Sequence, residues 1–351
     1  MRRTLLDQLA TRVGSTIDDA LLAAARFRFG RHTGPRGDRS RLLDEATEFY
    51  RRPEILSGAG FFLPPDRALV RERRVSLLPD GERVDIAFDS GFEPRWERMR
   101  LDYWKGVTPH PNRVAHVRML RHTTPRPSLI CLHGYATGQW FIEERSFVAR
   151  WLYEIGLDVS LFVLPFHAQR AARPGPPAWP SPHVARTNEG FGHAMSDLVA
   201  FIGWLRERGA PSVSVCGMSL GAFSAALLAT LKPLDFAALM IPVASWPELF
   251  WWHGEGRRER ADAEAEGITL LRMKAAMAVT APLGRTPLLD GERVLVLDAE
   301  GDRIAPPVHA DWLAEHFRAR RITLAGGHLL LARGAPFKAI ARRMRELSLL
   351  E

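Results

Sequence analysis

Ser219 lies in Gly217-Met218-Ser219-Leu220-Gly221, after the apolar run Val213–Cys216 and before the alanine- and leucine-rich segment Ala222–Leu231. A short apolar run followed by such a segment reads as a buried strand turning into a helix. Small residues two before and two after the serine let the backbone turn sharply without a side-chain clash. The hydroxyl then projects above the carboxyl edge of a sheet, at a helix N-terminus that favours developing negative charge. A serine placed there is a candidate nucleophile for acyl transfer, provided a base takes its proton.

Of the twelve histidines, His328 is the candidate base. It stands in Gly326-Gly327-His328, just after the last short strand candidate, where backbone freedom lets an imidazole reach over the sheet edge. His133, His167, His183, His193, His253 and His309 have weaker arguments and read as surface or structural residues. The base needs an acid to hold its tautomer. Asp302 sits in the loop beyond the strand Val294–Leu297, ahead of Pro306, and ranks before its rivals Asp298 and Glu300. Asp298 lies so near the strand end that bracing the turn is its simpler role. An oxyanion needs donors. The turn His133-Gly134-Tyr135-Ala136-Thr137-Gly138 follows the strand candidate Leu129–Leu132 and supplies the backbone N–H of Tyr135. The N–H of Leu220 completes the pair.

These residues must be positioned by a sheet. Apolar runs at Leu129–Leu132, Val159–Leu164, Val213–Cys216, Phe236–Ile241, Val294–Leu297 and Ile322–Leu324 alternate with helix-like segments. That rhythm means a mostly parallel sheet covered on both faces, an α/β fold. Before it, Val75–Leu78 and Val84–Phe88 flank the hairpin-type turn Pro79-Asp80-Gly81-Glu82, and Val114–Leu120 is a further strand candidate. Pro165 to Pro182 holds six prolines and reads as a stiff loop. Residues 1 to 60 read as helical, with Gly14-Ser15-Thr16 as a stop and restart, and a second segment from Arg41 to Arg51 ending before Pro53. A helical layer packed on the main body is the simpler reading; a membrane-surface or dimerising arm is the sharper one. The predicted organisation is a helical extension over 1–66 and an α/β unit over 67–351.

Composition narrows the partners. With 48 basic and 40 acidic residues the net charge is +8, yet only Lys105, Lys232, Lys274 and Lys338 are lysines. The arginines are scattered and mostly have acids nearby, as where Arg257, Arg258 and Arg260 precede Asp262, Glu264 and Glu266. A nucleic-acid partner is therefore not expected. Cys131 and Cys216 each sit in an apolar run and read as inert buried thiols. The uncharged stretch Gly209–Leu231 is long enough to mimic a membrane span, but Pro211, its glycines and its hydroxyls favour a buried strand and helix. Asp7 and Arg12 interrupt any apolar signal core, so a cytoplasmic, soluble chain is expected, without cofactor or metal; a homo-oligomer is left open.

The serine turn, the His-Gly turn, the acid loop and the Gly-Gly-His segment, in the order Ser219, Asp302, His328, resemble the α/β-hydrolase superfamily over roughly residues 113–350. The resemblance implies a sheet of about eight strands, a Ser-His-Asp triad without metal, and a specificity-setting insertion after the sixth strand. Ser245 to Leu289 occupies that place, as a small helical cap or as excursions around a helix. It also implies that the strands of Cys131 and Cys216 lie side by side. Trp246, Phe250, Trp251 and Trp252 in the insertion, with the proline-rich loop, would wall a pocket for an apolar acyl or alkyl group, or the tryptophans pack as core or lid. The expected activity is hydrolysis of a small-molecule carboxylic ester. An acyltransferase, thioesterase or peptidase would use the same residues, and a non-catalytic binding protein on a hydrolase frame is the reading from another class.

Overall fold

A computed structural model describes residues 4–29, 38–329 and 334–351. The apolar runs become a single nine-stranded sheet: β1 (Arg71–Leu78), β2 (Gly81–Asp89), β3 (Val114–His122), β4 (Ser128–Leu132), β5 (Asp158–Phe162), β6 (Val213–Met218), β7 (Phe236–Met240), β8 (Val294–Ala299) and β9 (Arg320–Leu324). Their order is β1-β2-β3-β5-β4-β6-β7-β8-β9. The pairs from β1 to β5 by way of β3 are antiparallel, and every pair from β5 and β4 through to β9 is parallel. The fold is therefore α/β with a mostly parallel sheet.

Each residue of β4, β5 and β7 is buried, because helices cover both faces. The strand period of two divides the core. Ile130 and Leu132 join the layer beneath the helices Val184–Glu207 and Leu220–Leu228. Leu129 and Cys131 join the opposite layer, with Leu152 and with Ile340 and Met344 of the helix Ala335–Glu346. Cys131 lies directly beside Cys216 in the β4–β6 register, and both thiols are buried and free.

Among the described residues three helices precede the sheet, α1 (Leu5–Phe29), α2 (Asp38–Tyr50) and α3 (Pro53–Leu56); predicted helical positions 1–3 and 30–37 lie outside the described residues. Leu43, Ala46 and Tyr50 of α2 belong to the same core cluster as the sheet. In the segment Ser245–Leu289, the helices Trp246–His253, Arg258–Ala265 and Leu270–Ala276 appear. Arg272 and Glu266 of this segment pair with Asp44 and Arg39 of α2, so the segment and α2 hold one another. The expected break at Gly14-Ser15-Thr16 does not occur: α1 runs through it without interruption. Gly14 serves close packing there, since a Cβ at this position would come within 2.2 Å of the Gly327 nitrogen.

A wholly buried polar cluster fixes the loop after β5. Arg170 donates from Nη2 to Asp197 Oδ2 (2.7 Å) and to the Asn112 carbonyl (3.0 Å), from Nε to Asn112 Oδ1 (3.0 Å), and from Nη1 to the Val163 carbonyl (3.2 Å). Asn112 Oδ1 also accepts from the Phe166 amide at 3.0 Å. Removing one partner of a buried pair strands the other charge. Arg170→Met is therefore expected to cost about 3–5 kcal/mol in urea unfolding; a loss below about 1 kcal/mol would contradict this account of the loop.

Candidate active site

The site is assembled at the carboxyl ends of the parallel strands. Ser219 follows β6 and sits in a backbone conformation that side chains avoid, φ 53° and ψ −109°. Its amide donates to the Met240 carbonyl at 3.0 Å, while its own carbonyl accepts from Phe223 and opens the next helix. The flanking glycines are sterically required. A Cβ on Gly217 would stand 2.1 Å from the Gly221 carbonyl oxygen, and one on Gly221 would stand 1.9 Å from that of Leu132. Among the described residues the Ser219 hydroxyl has no hydrogen-bond partner. Nucleophile–base contacts are commonly loose before substrate arrives.

Beyond β8 and β9, His328 Nδ1 and Asp302 Oδ2 are 2.7 Å apart. The other oxygen of Asp302 accepts from the amides of Ile304 (2.9 Å) and Ala305 (2.7 Å), which turns Oδ2 toward the imidazole. Nδ1 therefore carries the proton, and Nε2 keeps its lone pair. Burial pushes the His328 pKa down, but the charge and hydrogen bond of Asp302, with the charge of Asp18, leave it above the usual histidine value. Asp298 is occupied elsewhere, bound by Arg321 and Thr323.

Beyond β4, the His133 turn holds the Gly134–Tyr135 peptide. The Leu164 amide donates to His133 Nε2 at 3.0 Å, so the proton sits on Nδ1 and is donated to the Gly134 carbonyl at 2.7 Å. Thr137 Oγ1 donates to the same carbonyl at 3.1 Å. Because a trans peptide is planar, this fixes the Tyr135 N–H in the opposite direction. Neither the Tyr135 nor the Leu220 amide donates to a protein acceptor among the described residues. Gly134 adjoins Ser219: a Cβ built on it would lie 3.8 Å from the serine Cβ. Burial takes the pKa of His133 down to about 4, so it is neutral.

The N-terminal helix reaches the same place. Asp18 Oδ2 accepts from the amides of His328 (2.7 Å) and Arg303 (3.2 Å), and Oδ1 from that of Leu329 (3.2 Å). Ser15 Oγ donates to the Gly301 carbonyl at 2.8 Å, and the Gly326 amide donates to Thr11 Oγ1 at 3.3 Å. Sequence reasoning missed these contacts and the strut role of His133. The signal for the first was the spacing of Thr11, Gly14, Ser15 and Asp18, small or polar at one helical face.

The matched family model is described as alpha/beta hydrolase domain containing 18 and spans residues 92–261. An uncharacterized protein of Mycobacterium tuberculosis (strain ATCC 25618 / H37Rv) is 30% identical over 311 residues, 86% of this chain and 73% of its own. Acetyl xylan esterase 1 from Thermoanaerobacterium sp. JW/SL YS485 shares the fold at TM-score 0.57 and 17% identity, covering 90% of this chain and 95% of its own. An acetyl xylan esterase from Paenibacillus sp. R4 does so at TM-score 0.55 and 14% identity, covering 91% and 96%. The chain belongs to the α/β-hydrolase superfamily. In this α/β hydrolase the tryptophans after β7 divide: Trp246 is buried against Phe223 and Phe191, whereas Trp251 and Trp252 line a cleft of about 140 Å³ with Pro306, His309 and Trp312. Among its described residues no three His, Cys, Asp or Glu side chains are grouped to hold a metal, and no helix is long and apolar enough to cross a membrane.

Four buried histidines make the fold acid-sensitive. Burial lowers His133, His193 and His309 to about 4 and His167 well below its usual value. Between their folded values and the unfolded value near 6.5, the unfolded chain binds more protons, so stability rises with pH. Glu189, raised by burial to about 7, has the opposite slope, as do His328 and Glu143, which are also raised, but the four histidines together outweigh them. Stability from urea unfolding is expected to fall by about 3 kcal/mol or more from pH 7 to pH 5. An equal stability at the two pH values would refute the neutral-histidine assignment.

Proposed function

We propose that the protein cleaves a carboxylic ester or related acyl bond through an acyl-enzyme, with Ser219 as nucleophile, His328 as base and Asp302 as its acid. The observation that carries this reading is the pairing of a strained, strand-end serine with a His–Asp hydrogen bond on the same sheet edge. Ser219 Oγ bonds to the acyl carbon as its proton passes to His328 Nε2. The carbonyl electron pair moves onto oxygen, which takes hydrogen bonds from the amides of Tyr135 and Leu220. Collapse breaks the bond to the leaving oxygen, which receives the proton from Nε2. Water then attacks the acyl-enzyme, gives a proton to Nε2, and the second collapse returns that proton to Ser219 and frees the acid.

Trp251 and Trp252 would contact the apolar part of the substrate, with Trp246 supporting them from the core; the acetyl esters in the names of the two structural relatives are the first substrates to test. In this reading residues 67–351 are the hydrolase unit and Ser245–Leu289 its cap.

A fluorophosphonate probe should form one adduct, on Ser219. Ser219→Ala should abolish it, and His328→Ala should slow it by about 10²–10⁴-fold. The labelling rate should rise with pH as His328 loses its proton, with a midpoint above the usual histidine value, and Asp302→Asn should move that midpoint down. No adduct on the folded protein would overturn the hydrolase reading and favour a binding protein.

A further inference from the structure

We infer that Asp18, on α1, is a positioning residue that sets the base His328 against Ser219, so that the N-terminal helix is a working part of the site. This rests on the reading of His328 as the base. The Asp18 carboxylate is fully buried and takes three backbone amides: His328 and Leu329 in one loop, Arg303 in the other. Arg303 directly follows Asp302, so one carboxylate ties the base loop to the acid loop. Burying a carboxylate is costly unless donors surround it, and these three amides meet that cost.

The helix is shaped for this contact. Thr11, Gly14, Ser15 and Asp18 share one face, and all four meet the segments 301–303 and 326–329. A Cβ on Gly327 would lie 2.5 Å from the Gly14 carbonyl carbon and 2.7 Å from Asp18 Oδ2, so the pair of glycines allows the approach. Among the described side chains of α1, Leu5, Leu6, Leu9, Val13, Ile17 and Leu21 are exposed, so apolar burial of these residues does not hold this face in place. The inward face is polar and small, and it ends on the backbone of His328. Fixing that backbone fixes where the imidazole can stand, and misplacement by about 1 Å costs on the order of 100-fold in rate. The Asp18 charge adds to that of Asp302 in favouring the protonated imidazole.

The test compares the wild type with Asp18→Asn, and with Asp19→Asn as the exposed neighbouring control. Three quantities are read on the full chain: fluorophosphonate labelling rate against pH, kcat and KM on a short-chain p-nitrophenyl ester, and the His328 ring titration by NMR. Asp18→Asn should lower labelling rate and kcat by about 10–100-fold with KM nearly unchanged, and should move the His328 midpoint down. Asp19→Asn should alter none of these. If Asp18→Asn does not fold, Ser15→Ala, which removes only the clasp on Gly301, should show a smaller loss in kcat with KM unchanged. Wild-type kinetics and an unmoved midpoint in either folded Asp18→Asn, or wild-type kcat in Ser15→Ala where Asp18→Asn does not fold, would overturn the proposal. Absence of any wild-type labelling would instead overturn the hydrolase reading and the catalytic meaning of Asp18 with it. The His328 titration would then still report whether Asp18 acts on that ring.

Discussion

The parallel pairing of β4 with β6 sets the geometry of everything above it. With Leu132 opposite Gly217, both strands end at the same level, and the His133 turn and the Ser219 turn emerge side by side. The contact is so close that Gly221 has room for nothing beyond hydrogen against the Leu132 carbonyl. A shift of one residue would turn every side chain to the opposite face and separate the His133 turn from the Ser219 turn. The strained dihedrals of Ser219 persist because this packing over-determines them, with the amide of Ser219 anchored on β7.

Around this junction three buried polar side chains have defined hydrogen-bonding roles. His133 stays neutral and acts as a strut between Leu164 and Gly134. Arg170 spans Asn112, Val163 and Asp197 and so anchors the loop that carries His167 and Trp179. Asp302 spends one oxygen on backbone amides and the other on His328. In each case the group is held by backbone atoms, which makes its direction a property of the fold rather than of a flexible side chain.

Much of this was legible in the amino-acid sequence because it is local. Strands buried on both faces must be continuous apolar runs, and the turn at Ser219 must have glycines where the chain folds on itself. Asp302 ranked before Asp298 by distance to the strand end; in the structure Asp302 meets His328, and Arg321 pairs with Asp298. What was not legible depends on partners far away in the chain. Gly14-Ser15-Thr16 looks like a helix break because glycine, serine and threonine are poor helix formers in isolation; only the approach of Gly326 and Gly327 shows why small residues are needed there. The aromatic character of Trp246 to Trp252 was plain, but which of them faces the core is decided by Phe191 and Phe223.

The link from Asp18 to His328 joins positions 310 residues apart, and that separation has a consequence for synthesis. α1 leaves the ribosome well before the loop it clasps. At roughly 5–20 residues per second the helix waits on the order of half a minute for its partner. A chain that stops before β9 already contains the serine turn, the Tyr135 amide and most of the sheet, yet lacks His328 and two of the three amides that donate to Asp18. Completion of the site therefore waits for the most distant of the partners that Asp18 meets.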